Sequence, residues 1–371
     1  MIDRRSLLAG AASLLVARPG QSRIADADTR IHVIDFSNAP FLDRDEVPTD
    51  IDGANACTRP NHRFLDGLRE NGIDTIIRYY SDQNNAGITC KNITRRERDL
   101  LHEHGFSVAM VYQYEGRSQN RYTGARAVQD AAFIAARMAV IGQPEGSAIY
   151  IGVDSDASLN TDAGVIEYFQ VLNDVLGDRF EIGVYAAGAR CRLLRDRLYA
   201  RKGGDGRARP LATKYWVPEA PAWAGTLDFM NSGDWTFYQN KTDVAKSALT
   251  ADMGQPVVID TDMLNPAAGN SIGAFNSDGT IRIYLPARLD AIHAARAWVT
   301  DLTAHVRDRP GGTPVTHACV ARTVHVLERQ AEWALVDIDE DGIGEGYCRN
   351  ADLAAFSQMP RYRSGCKQPK F

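Results

Sequence analysis

The chain has little of what marks several large protein classes. Lysine and arginine total 42 against 47 aspartates and glutamates, the net charge is -5, and no lysine or arginine run occurs. The electrostatic footprint of a nucleic-acid partner is therefore missing. None of the six cysteines stands in a Cys-x-x-Cys or a local Cys/His cluster, which removes the usual spacing of structural zinc. No Gly-x-Gly-x-x-Gly follows the first expected strand, so a dinucleotide site has no support. The apolar run near the N-terminus is too short to span a bilayer. These absences lead to an expectation of no cofactor, no metal, no nucleic-acid partner and no membrane span. The oligomeric state is not legible.

What remains is an ordinary globular composition over 371 residues, 44% hydrophobic and 24% charged. That length suits an α/β barrel with a small appendage. The opening Met1-Ile-Asp-Arg-Arg-Ser-Leu-Leu-Ala-Gly places Arg4 and Arg5 before the Ala-rich run Ala11–Ala17, and resembles a twin-arginine export signal. Asp3 and Leu7 depart from the commonest form. A small-residue site at Ala25-Asp26-Ala27 ends the signal at residue 27 and starts a mature chain near Asp28, bound for the periplasm or the cell exterior. An even cysteine count fits such an oxidising compartment. Cys57 with Cys90 and Cys319 with Cys348 are the expected pairs; Cys191 and Cys366 are candidate free thiols.

Short runs of β-branched and aromatic residues alternate with helical patterns from residue 28 to 264. The runs are Ile31–Phe36, Thr75–Tyr80, Ser107–Tyr112, Ala148–Val153, Glu181–Tyr185, Thr213–Val217, Trp235–Gln239 and Pro256–Ile259. Helices are expected over His62–Asn71, Arg95–His104, Ala125–Ile141 and Gly164–Leu176; Pro218–Asp234 has no clear helical period. Eight strands with crossovers predict a (β/α)8 TIM barrel. The organising stretch is Ile149–Asp156, where Ile-Tyr-Ile-Gly-Val ends in Asp154-Ser-Asp156 and the strand period puts both acids on one side. Nearly every run ends this way: Asp35, Ser37, Arg78, Tyr79, Tyr80, Gln113, Glu115, Tyr185, Glu219, Gln239, Asp260 and Asp262. In a barrel, those ends converge on one face and build a cleft.

The ordered series Ile34-Asp35-Phe36-Ser37, Ile77-Arg78-Tyr79-Tyr80, Tyr150 to Asp156, Gly183-Val-Tyr185, Phe237-Tyr-Gln239 and Val258 to Asp262 resembles the bacterial glycoside-hydrolase-like domain related to the family 25 lysozymes. The resemblance covers roughly Asp28 to Leu264. It implies a lysozyme-like O-glycosyl hydrolase acting on a cell-wall polysaccharide, or a binder of that glycan that no longer cleaves it. Asp35 matches the aspartate ending strand one, Asp154 the stabilising carboxylate of strand four, Asp260 the aspartate of strand eight and Gln239 the strand-seven glutamine. Asp156 stands where the family's general-acid Glu would be. Aspartate is shorter by on the order of 1.5 Å, and a misplacement of about 1 Å can cost a hundredfold in rate. The proton donor is thus Asp156 in a tighter cleft, or Glu115, or catalysis is lost. Arg78, Tyr79, Tyr80, Tyr185 and Asp262 are candidate sugar contacts.

Residues 265–296 read as a linker, rich in Gly, Asn, Pro and Ser over Asn265–Gly279, then a strand-like Ile281–Leu285 and a helix-like Ala287–Ala297. Residues 297–356 alternate as short strands, and Val306, Arg307, Pro310, Trp333 and Tyr347 resemble a bacterial SH3-like domain; residues 357–371 form a tail. Asp337-x-Asp339-x-Asp341-Gly342 opens like a calcium loop, but position twelve is Cys348 in place of the bidentate Glu, so a hairpin turn is expected.

Overall fold

The computed structural model describes residues 30, 33–35, 62–81, 92–113, 121–156, 160–245, 258–340 and 342–368. The export signal, Cys57, Cys90, Glu115 and Asp341 lie outside the described residues. Strands β1 (Val33–Asp35), β2 (Thr75–Tyr80), β3 (Ser107–Tyr112), β4 (Ala148–Val153) and β5 (Glu181–Ala186) alternate with helices α1 (His62–Glu70), α2 (Arg95–Glu103), α3 (Gly124–Ile141) and α4 (Asp162–Leu176). Three helices begin on a threonine whose hydroxyl accepts an amide of the first turn: Thr94 from Glu97, Thr123 from Arg126 and Thr161 from Gly164. Helix α5 (Gly188–Asp196) and a small hairpin, β6 (Leu198–Ala200) with β7 (Ala208–Pro210), lead to β8 (Lys214–Val217), α6 (Thr226–Ser232), β9 (Phe237–Ala245) and β10 (Val258–Leu264).

The strands close as β1-β2-β3-β4-β5-β8-β9-β10 and back to β1. This is a mixed barrel, which corrects the expected (β/α)8 regularity. Neighbours from β1 through β9 run parallel, whereas β10 is antiparallel to both β9 and β1. The last two strands form a bulged antiparallel pair with register shifts between Ile259 and Asp262. Among the described residues, no crossover helix roofs their outer face. The bulge also turns Asn240 and Lys241 to the same side. The expected final strand stops at Ile259, but the observed one continues to Leu264.

A second sheet covers that face. Helix α7 (Pro286–Ala294) leads into β11 (Arg296–Val299), followed by β12 (Thr303–Arg307), β13 (Pro314–Cys319), β14 (Thr323–Gln330), β15 (Trp333–Asp337), β16 (Gly346–Arg349) and β17 (Leu353–Ala355). Their antiparallel order is β13-β12-β16-β15-β14-β11-β17. Trp298, Ala321, Phe356 and Met359 share one apolar cluster with Tyr238, Ile259 and Met263 of the barrel. Between β15 and β16 the Asp337 carboxylate accepts the amides of Glu340 and Gly342, closing the hairpin turn.

The stretch read as a linker is a packed floor. Val108 and Phe275 exchange both backbone hydrogen bonds at 2.9 Å, and the Ala148 amide donates to Gly273. The Tyr150 hydroxyl reaches the Ile272 carbonyl and Lys214 the Ser271 carbonyl. Ile281–Leu285 forms no strand beyond an isolated Phe275–Ile281 bridge. A disulfide joins Cys319 to Cys366, leaving Cys348 a buried thiol; the Cys319–Cys348 pairing is therefore corrected. The tail, with Cys366 in it, is the closer partner because it runs beside β13. Among the described residues, no helix is long and apolar enough to cross a membrane.

Candidate active site at the carboxyl end of the barrel

Alternation along each strand decides which side chains enter the barrel. On β4, Ala148 and Tyr150 join the inner cluster, whereas Ile149, Ile151 and Val153 join the outer one. Asp154 and Asp156 continue the inner phase past the strand end, where both are partly buried. The Gln113 amide, just beyond β3, donates to Asp154 Oδ2 at 3.3 Å. Gly152 makes room for it, because a Cβ there would sit 3.2 Å from the Gln113 Cβ. Asp156 accepts the Ala224 amide at 3.1 Å, which ties it to the loop after β8.

The antiparallel course of β10 puts its early residues at the open end. Asp260 is level with Asp35 of β1, and Asp262, two residues deeper, is level with Val33. A relay crosses the barrel above this level. The Tyr185 hydroxyl donates to Gln239 Oε1 at 2.9 Å, and Gln239 Nε2 donates to Asp260 Oδ2 at 3.0 Å. One primary amide thus accepts from β5 and donates to β10, which fixes its orientation. Below it, Trp216 Nε1 donates to Asp262 Oδ1 at 2.8 Å. Trp216 stacks on Phe237 at 4.8 Å and meets Tyr185 edge-on at 4.6 Å. The barrel is therefore filled by aromatic rings up to a polar rim.

Asp260 is 4% and Asp262 0% exposed, so these two act as supports within the wall. Asp154 and Asp156 are half-buried, so solvent reaches both. Asp35 is placed by its backbone register alone, beside Asp260 and Ile77. Tyr79 packs in the inner cluster.

Two expected sugar contacts face the other way. Arg78 and Tyr80 share the outward phase of β2: Arg78 Nε donates to Glu97 Oε1 of α2 at 2.6 Å, and the Tyr80 hydroxyl donates to Gln143 at 3.0 Å. Burial pushes the Glu97 carboxyl up, against the pull of the Arg78 guanidinium. Glu219 is diverted as well. It pairs with Arg322 of the second sheet at 2.7 Å and accepts from the Thr242 amide and hydroxyl. Trp216, which holds Asp262, is absent from the candidates drawn from the sequence; the signal for it is a tryptophan in the inward phase of the run Thr213–Val217.

Comparison with known proteins matches residues 66–264 to the Rv2525c-like, glycoside hydrolase-like domain. Over 129 residues the chain is 29% identical to the uncharacterized protein YbfG of Bacillus subtilis, covering 32% of this chain and 18% of that relative's length. Among solved structures, the Tat-secreted protein Rv2525c of Mycobacterium tuberculosis, in complex with L-tartrate, is 18% identical with a TM-score of 0.42, covering 62% of this chain and 94% of that one. The glycosyl hydrolase 25 protein GHIP of Streptococcus pneumoniae, described as a virulence factor in host cell invasion, is 15% identical with a TM-score of 0.35, covering 63% and 86%. Scores of that size are too loose to transfer any residue's role. The family match spans more than half of the chain and includes Asp154, Asp156, Tyr185, Gln239, Asp260 and Asp262, so the chain belongs to the Rv2525c-like, glycoside hydrolase-like domain family.

Proposed function

We propose that this is an exported glycoside hydrolase of lysozyme-like type that cleaves a cell-wall polysaccharide by carboxylate acid/base chemistry. The observation that carries the reading is the meeting of Asp154 and Asp156 with the Tyr185–Gln239–Asp260 relay at one barrel rim, in a chain of a glycoside-hydrolase-like family. Glycosidic cleavage needs one carboxyl to protonate the leaving oxygen and an ionised one to support the oxocarbenium-like transition state. Asp154, held by Gln113, is the stabilising carboxylate. Asp156 or Glu115 is the proton donor; one oxygen of Asp156 is held by the Ala224 amide. Tyr185 offers a ring face for a pyranose. The twin-arginine pattern takes the chain across the inner membrane. The second sheet, read as SH3-like, contributes cell-wall contacts from its outer surface.

A non-catalytic glycan binder is the second reading, and Asp156 in the place of a longer glutamate favours it. Reducing-end release from purified peptidoglycan by the chain starting at Asp28, with Asp154→Asn in parallel, separates the two. Release by the wild type that falls at least about a hundredfold in the variant is the outcome expected for a stabilising carboxylate. No release from either, with retention on the same sacculi, would sink the hydrolase reading and leave the binder.

A further inference from the structure

His317 and Cys319 stand two residues apart on β13 and so share one face of the strand. The tail brings Cys366 to them from 47 residues away, and the two cysteines form a disulfide with Cα atoms 5.7 Å apart. A ring nitrogen of His317 and both sulfurs lie within 4.8 Å of one another. The disulfide is not the tail's sole anchor. His317 Nε2 is 2.8 Å from the Lys367 carbonyl, and the Cys319 amide donates to Gln368 Oε1 at 3.0 Å. Neither hydrogen bond uses a sulfur atom, so the tail has anchors beside β13 that do not depend on the S–S bond.

We propose that reduction of Cys319–Cys366 turns this corner into a zinc site, with Cys319, Cys366 and His317 as ligands and water in the fourth position. Three protein ligands of the Cys2His type plus water satisfy tetrahedral zinc. With Nε2–H donating to Lys367, the bare nitrogen is Nδ1, and a backbone carbonyl on the far nitrogen is the usual outer partner of a metal-bound histidine. The chemistry balances. A dithiol reductant supplies two electrons and two protons, the S–S bond breaks into two thiols, and the reductant leaves as its own disulfide. Zinc then takes both sulfurs as thiolates and two protons go to solvent. Exchange with an external disulfide runs the sequence backward and expels the ion. The trio escapes a search for local motifs because its third member comes from the tail.

The test is zinc titration of the full chain against a chromophoric chelator, in oxidised form and after phosphine reduction with the reductant removed. One zinc more per reduced chain is expected, and cobalt in its place should show thiolate-to-cobalt absorption. Cys366→Ser should remove that equivalent. His317→Ala, which keeps every cysteine, should weaken it by at least about tenfold, since even outer partners of a zinc ligand are worth that much. Equal uptake by oxidised and reduced chains would overturn the proposal, as would full affinity in both variants, which would trace the zinc to the other cysteines.

Discussion

The Asp130 carboxylate accepts from four side chains. Tyr112 and Arg126 donate to Oδ1 at 2.8 Å each, while Arg121 and Tyr168 donate to Oδ2 at 2.8 and 2.7 Å. Burial keeps the Tyr168 hydroxyl protonated far above the usual phenol range, so it remains a donor. Removing the acceptor would leave the buried Arg121 guanidinium and two buried tyrosine hydroxyls, together with half-buried Arg126, without it. Asp130→Ala should therefore destabilise the fold by about 3–5 kcal/mol, read as a lower urea midpoint, and an effect below about 1 kcal/mol would contradict this account. Nothing in the sequence marks this acid. It sits in a helical run, and apart from Arg126, one turn earlier on α3, its partners arrive from β3, from the segment before α3 and from α4. Asp154 and Asp156 were legible because two acids end a strand of β-branched residues. Arg78 was misplaced for a related reason: Thr75–Tyr80 is buried on both faces, so the run shows no alternation to say which side is inward.

At the scale of elements, the first five strands and their helices were plain because period two gives way to period 3.6 at each crossover. The barrel's closure was not. The β9–β10 pair is antiparallel and bulged, and a sequence pattern carries no direct mark of strand direction. Within a strand, packing can demand a residue that propensity disfavours. Gly183 in the middle of β5 is such a case, since a Cβ there would come within 2.5 Å of Tyr150 Cδ1. The Tyr150 ring packs edge-on against Phe237 at 5.1 Å and is held below by the Ile272 carbonyl, so it has nowhere to move. Gly183→Ala should cost about 1–3 kcal/mol through overpacking and displace the aromatic layer under Tyr185. Equilibrium denaturation with an unchanged slope is the check, and a stabilised variant would show that the ring yields freely.

At the scale of the whole molecule, the second sheet completes the barrel. The outer faces of β9 and β10 carry Tyr238, Asn240, Lys241 and Met263, and all of them meet residues beyond position 290. Lys241 donates to the Thr323 carbonyl, and Arg296 holds Glu340 beside Asn240 in a buried ion pair at 2.7 Å. Composition divides the chain into a barrel and a small C-terminal domain, and residues of both lie in one apolar cluster. His293 of α7 lies at this junction, stacked on Trp235 at 5.8 Å, edge-on to Phe356 at 4.9 Å and bonded through Nε2 to the Leu264 carbonyl. Burial lowers its affinity for a proton, Arg296 adds to this, and the Leu264 carbonyl and Asp290 oppose it. The unfolded ring protonates near pH 6.5, so below that point the unfolded chain binds more protons than the fold. The stability contributed by neutral His293 is complete above about pH 6.5 and is lost as pH falls below it, with a slope of at most about 1.4 kcal/mol per pH unit. His293→Gln can still donate to Leu264 but does not titrate. Urea unfolding at about pH 7.5 and pH 5.5 should show the wild type losing more stability than the variant on acidification, with every other titrating group, His102 included, common to both. Equal losses would mean that the junction does not sense the proton.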